Sequence, residues 1–63
     1  MTATEALARF YRAQGHAHNA HADYFKARGA KSDHALERTY RRIAQDFFRM
    51  AAEVEAEVTE QAA

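Results

Sequence analysis

The chain has 63 residues with neither cysteine nor proline, and its nine basic residues balance nine acidic ones. This composition excludes disulfides, thiolate metal sites and a large core built by one copy. No apolar run reaches the roughly 18 residues that a membrane span needs, and no signal-peptide pattern opens the chain, so we expect a cytoplasmic protein. Oligomerisation is then the usual way for so small a chain to stabilise itself.

The first predicted element is a helix over about residues 3–28. Thr2, with Glu5 three residues later, has the spacing of a capping box at its start. An apolar stripe then recurs at alternating intervals of four and three residues. Its positions are Ala3, Leu7, Phe10, Gln14, Ala17, His21 and Tyr24. Gly15 costs about 1 kcal/mol in a helix interior, but the stripe keeps its phase across it, so one helix is expected.

A turn over residues 29–32 and a second helix over about residues 33–60 follow. Gly29 stands where a glycine commonly ends a helix, and Ser32 or Asp33 can cap the next one. The second stripe is the most regular in the chain: Leu36, Tyr40, Ile43, Phe47, Met50, Ala51, Val54 and Val58. Folding back at Gly29 sets the expected register, in which Tyr40 meets His21 and Phe47 meets Gln14.

The predicted fold is an all-α antiparallel helical hairpin, a single domain over residues 1–63, that dimerises into a four-helix bundle. Two helices packed only against each other leave half of each stripe in water, so a second copy is expected to cover the rest. The residues predicted for the core and the dimer interface are Leu7, Phe10, Tyr24, Leu36, Tyr40, Ile43, Phe47 and Val54. In size and topology this hairpin resembles the Rop-type RNA-binding hairpin dimers, with which it shares no motif.

No catalytic residue can be assigned, and no cofactor is expected. The chain has no nucleophile with a neighbouring base and no glycine-rich phosphate loop, and its only serine lies at the helix start. The acidic residues of the last turns, Glu53, Glu55, Glu57 and Glu60, suit a solvated helix end. A closed bundle of this size is expected to have no substrate cleft.

Aromatic residues at the stripe margins suggest a surface that binds another protein. Phe48 and Tyr11 lie at these margins, and Arg41 and Glu55 lie beside Phe48. Aromatic residues next to arginine are enriched in binding hot spots, although the same residues can equally form the seam between two hairpins. The leading interpretation is a homodimeric regulator, inhibitor or adaptor that binds an unidentified protein, of the kind that phages and mobile elements encode.

An arginine row on the second helix gives the alternative interpretation. Arg38, Arg42, Gln45 and Arg49 follow one face at helical spacing. Guanidinium groups spaced in this way can track phosphates, so a nucleic-acid-binding regulator is the rival function. The competing explanation is ordinary ion pairing on the surface, for example between Arg49 and Glu53.

A histidine cluster is the third candidate. His18 and His21 are three residues apart on the apolar side, a spacing that can place two imidazoles on one metal ion. They are weak metal candidates, because no cysteine or carboxylate joins them on that face. The weaker alternative function is therefore a dimer linked by a metal.

The same histidines predict that the dimer responds to pH. Imidazoles gain a positive charge as the pH falls, and charge next to an apolar interface is costly. We expect the dimer to loosen below about pH 6. Analytical ultracentrifugation at neutral and mildly acidic pH measures this, and an unchanged mass across the range would contradict it.

Overall fold

Two long helices make up the hairpin. The computed structural model describes residues 1–62, with the side chains of residues 1–60. Helix α1 spans Ala3–Arg28 and helix α2 spans Asp33–Ala62. They pack side by side across the short turn, which confirms the prediction of an all-α hairpin. Within the described residues, neither helix is long and apolar enough to cross a bilayer.

Both ends of α1 are capped by local hydrogen bonds. The Thr2 hydroxyl accepts a hydrogen bond from the backbone N–H of Glu5 at 3.1 Å, which satisfies one of the donors left free at a helix start. Gly29 ends the helix with φ 70°, a left-handed conformation that glycine adopts without steric cost. Its N–H donates to the Phe25 carbonyl at 3.3 Å.

The turn is closed by an ion pair between the two helices' adjoining ends. Asp33, the first residue of α2, is only 2% exposed. The Arg28 guanidinium donates to both of its carboxylate oxygens, at 2.8 and 3.2 Å, a forked geometry that arginine favours. Arg28 also donates to the Tyr24 hydroxyl at 3.3 Å. That hydrogen bond, followed by the negative charge of Asp33, raises the pKa of Arg28.

Small residues form the seam between the helices. Ala8, Gly15 and Ala22 are the buried residues of α1, spaced seven apart. Ala44 and Ala51 are fully buried on α2, with the same spacing. Side chains this short let two helix backbones approach closely, because nothing larger than a methyl group separates them.

This seam corrects the predicted packing of α1. The stripe predicted to face α2 is offset by one residue from the true seam, which is a rotation of about 100° around the helix. Leu7, Phe10 and Tyr24 are 42%, 53% and 54% exposed, and Leu36 of α2 is 42% exposed. The other four residues predicted for the core or the dimer interface are half-buried: Tyr40, Ile43, Phe47 and Val54. The buried positions along the seam of the hairpin are taken by alanines and a glycine, and burial of these eight side chains against a second copy stays a prediction.

The predicted register of the two helices along their axes agrees with the structure better than the predicted rotation of α1 about its own axis. Tyr40 meets His21 as expected, with ring centroids 4.5 Å apart. Phe47 contacts Tyr11 and His18, with centroids 6.1 and 5.2 Å away. These two residues lie one helical turn on either side of Gln14, the predicted partner. The length of the turn therefore sets which positions along the two helices lie side by side. Side-chain packing sets which side of each helix faces the other.

Gly15 is required by the close approach of Phe48. A Cβ atom at Gly15 would lie 2.8 Å from the Cε1 and Cζ atoms of the Phe48 ring, closer than real Cβ contacts. Glycine at this position therefore has a lower helix propensity than alanine, but it lets the Phe48 ring lie against the α1 backbone.

We predict that the effect of Gly15→Ala on the stability of the hairpin changes sign with the residue at position 48. With Phe48 present, the methyl group should destabilise the hairpin by about 1 kcal/mol net, because overpacking outweighs the gain in helix propensity. In the Phe48→Ala background, Gly15→Ala should instead stabilise it by about 1 kcal/mol. Chemical denaturation of the four chains at one protein concentration, followed by circular dichroism, measures both effects.

Ala20→Gly is the matched control, since Ala20 is exposed on the same helix. It should cost about 1 kcal/mol in both backgrounds. Stabilisation by Gly15→Ala in the presence of Phe48 would contradict the close packing of the ring.

Candidate functional site

The two sides of the seam differ in chemistry. On one side, rings from both helices stack; we call this the aromatic flank. Tyr40 of α2 lies beside His21 and Phe25 of α1, with centroids 4.5 and 5.5 Å away and nearly parallel rings. His18 lies between Tyr40 and Phe47, at 6.0 and 5.2 Å. The flank is continuous because each α2 ring touches rings from two successive turns of α1.

An apolar face extends outward from this flank on both helices. We define the apolar face as the aliphatic and aromatic side chains displaced from the seam toward the stacked rings. Its members are Leu7, Phe10, Tyr24, Leu36, Ile43, Met50 and Val54, together with the rings of the aromatic flank. Four of these side chains are 42% or more exposed. Large exposed apolar side chains on one side of a protein are typical of surfaces that bind a partner.

The histidines join this surface as packing residues. His18 Nδ1 lies 2.7 Å from the Gln14 carbonyl oxygen. A carbonyl only accepts, so Nδ1 carries the proton and donates. His21 meets Tyr40 by ring stacking. No group of three histidine, aspartate or glutamate side chains with metal-binding geometry occurs among the residues that the structure describes.

The other side of the seam is polar; we call it the polar flank. Arg12 of α1 pairs with Glu55 of α2. Arg41 of α2 pairs with Asp23 of α1 at 2.8 Å and with Glu37 of its own helix at 3.1 Å. The hydrogen bond that Arg41 donates to Asp23, followed by the one that it donates to Glu37, raises the pKa of Arg41. These pairs tie the two helices together along the side opposite the stacked rings.

The four residues predicted to bind a protein partner are divided between these flanks. Tyr11 belongs to the aromatic flank, where it touches Phe10 and Phe47. Arg41 and Glu55 are held in the interhelix ion pairs. Phe48 is half-buried, packed over Gly15 and edge-on to His16 at 5.0 Å. Its ring fills space above the glycine and remains partly exposed.

The predicted arginine row is exposed along α2. Arg38, Arg42 and Gln45 are exposed, and Arg49 is within 3.4 Å of Asp46 and 3.9 Å of Glu53. Within the described part of the chain, Arg38 and Arg42 have no ion-pair partner. All four residues of the row are thus exposed, but the charge of Arg49 is partly neutralised by its acidic neighbours.

A recess at the open end of the hairpin was not expected from the sequence. It has a volume of about 460 Å³ and lies between the first turns of α1 and the last turns of α2. Its walls include Glu5, Arg9 and Arg12 on one side and Glu55, Val58 and Thr59 on the other.

Comparison of this chain with protein-family models, with curated proteins and with solved structures finds no match.

Proposed function

We propose that the protein is a homodimeric, non-enzymatic helical bundle that regulates or adapts another protein by binding it. In this proposal the apolar face packs against a second copy to complete a four-helix bundle. The observation that carries it is the set of large apolar side chains left exposed on one side of the hairpin. Among residues 1–60, only alanines, a glycine and Asp33 are fully buried, so the seam supplies little of the apolar burial that stabilises a domain.

The dimensions of the hairpin support a second copy as the occupant. The broad side measures 49 by 16 Å between Cα extremes. A flat contact of that size covers about 800 Å² per partner, the size of a standard stable interface. The single hairpin also exposes 4656 Å², whereas a compact monomer of its mass is expected to expose about 4,100 Å².

The polar flank supports a further protein partner. It lies across the seam from the apolar face, so dimerisation leaves it accessible. It combines a partly exposed aromatic ring, Phe48, with an arginine and carboxylates held in fixed positions by interhelix pairs. Arginine and aromatic residues are the types enriched in protein interfaces.

We predict that Phe10→Glu disrupts the dimer, because it places a charge in the middle of an apolar contact. Sedimentation equilibrium of the wild type should give twice the chain mass, and the variant should give one chain mass with reduced helicity on dilution. The wild type's unfolding temperature should also rise with protein concentration. Ala52→Glu, at an exposed position of α2 one turn after Phe48 and away from the apolar face, is the control and should remain dimeric. A cooperative wild-type monomer at micromolar concentration would refute the dimer.

A nucleic-acid-binding regulator is the second candidate, favoured by the exposed Arg38 and Arg42, which pair with no described acidic residue. These arginines lie away from the apolar face, so a dimer would present two such rows.

Capture of partners from a host lysate, with and without nuclease, separates the two candidates. A protein partner that contacts the polar flank should remain bound after nuclease and at about 0.5 M salt, where charge screening is strong. Its binding should be lost with Phe48→Ala and kept with Arg38→Ala. Binding of a nucleic acid should instead weaken steeply with salt. The logarithm of its binding constant should fall with the logarithm of the salt concentration with a slope of several units, and the binding should depend on Arg38. Binding that follows the second pattern would replace the protein-partner function.

A further inference from the structure

We propose that the second copy packs head to tail, with the turn of each hairpin beside the open end of the other. This inference rests on the proposed dimer and specifies which of its two possible orientations forms. The open half contains residues 1–15 and 46–63, and the turn half contains residues 16–45.

The two halves have opposite formal charge. The open half has three basic and six acidic residues, and the turn half has six basic and three acidic ones. The halves are therefore about −3 and +3 at neutral pH, with histidine uncharged. A head-to-tail dimer places each negative half against a positive half, whereas a dimer with both turns at one end places like charges together at both ends.

The hairpin's own ion pairs leave this separation in place. Three acidic side chains have no ion pair within the described residues, and all lie in the open half: Glu5, Glu57 and Glu60. Five basic side chains are likewise left over, and four of them lie in the turn half: Lys26, Lys31, Arg38 and Arg42, with Arg9 in the open half. The unpaired charges are thus sorted by end. Because Arg38 and Arg42 lie away from the apolar face, the charges that head-to-tail packing brings together are those at the ends of the hairpin: Lys31 in the turn of one copy, and Glu57 and Glu60 in the last turns of α2 of the other.

The end of α2 gives an independent reason to expect bases nearby. The described part of its last turn contains Glu60 and no basic residue. Acidic side chains at a helix C-terminus are unfavourable, because the carbonyls there already present negative charge. Lysines and arginines from the turn of a second copy would relieve that repulsion.

Because salt screens these charges, we expect them to determine the orientation of the dimer rather than its affinity. The Debye length is about 8 Å in physiological salt, much shorter than either half of the hairpin, so only charges bordering the interface act strongly. Complementary charge at an interface generally sets register and specificity more than affinity. The apolar face supplies the association in either orientation.

Spin-label distances test the orientation directly. The chain has no cysteine, so Ser32→Cys gives one nitroxide on the exposed turn of each copy. Head-to-tail packing predicts a label-to-label distance comparable with the 49 Å length of the hairpin. Packing with both turns at one end predicts less than about 25 Å, since neighbouring helix axes lie 8–10 Å apart. Mixed dimers labelled at Ser32→Cys and Thr59→Cys should show the short distance only in the head-to-tail form.

The outcomes separate this inference from the proposed function. A long Ser32 distance with a short mixed distance supports it. A short Ser32 distance overturns the orientation and leaves the dimer standing. Absence of any dipolar coupling, together with the mass of one chain, overturns the dimer itself.

A charge variant tests the electrostatic cause. Glu57→Lys with Glu60→Lys changes the open half from about −3 to about +1 and places favourable charge at the end of α2. In a head-to-tail dimer, the two changes should raise the dissociation constant about tenfold at low salt, with the difference shrinking at high salt. If like ends met, the same variant would bind more tightly, because it reduces repulsion at the open ends. Tighter binding would overturn the inference.

Discussion

The close approach of two helices along a seam of alanines and one glycine is the constraint on which this structure depends. Ala8, Gly15 and Ala22 meet Ala44 and Ala51 with almost no exposed surface on the alanines. The contact is tight because the side chains are short. For the same reason it buries little apolar area, and the larger side chains are left beside the seam.

The two flanks follow from this narrow seam. Rings too large for the interior lean over it from one side, where Tyr40 and Phe47 contact the histidines and aromatics of α1. On the other side, long charged side chains bridge the helices, as Arg41 does with Asp23. Exposed pairs of this type contribute little to stability. Their effect is to define a polar surface on the side of the seam opposite the exposed apolar side chains.

Sequence patterns predicted the helical hairpin correctly but left it ambiguous which face of α1 is buried. Two series with alternating intervals of four and three residues run along this helix, offset by one residue. One contains Leu7, Phe10 and Tyr24, and the other contains Ala8, Gly15 and Ala22. The first is more apolar, so hydrophobicity alone favours it as the buried face. On α2 the predicted stripe includes the buried Ala51, and its Tyr40 and Phe47 do contact rings of α1, so the error in the buried face is smaller there.

The sequence by itself determined two helices, the caps at both ends of α1 and the glycine turn, because these depend on local hydrogen bonds and backbone conformations. It also determined the segregation of charge along the chain. The tertiary structure alone decided that the small residues pair and that Phe48 lies over Gly15. It also decided that Asp33 is buried against Arg28. These outcomes depend on how closely two backbones can approach, a property of both helices together that neither pattern contains.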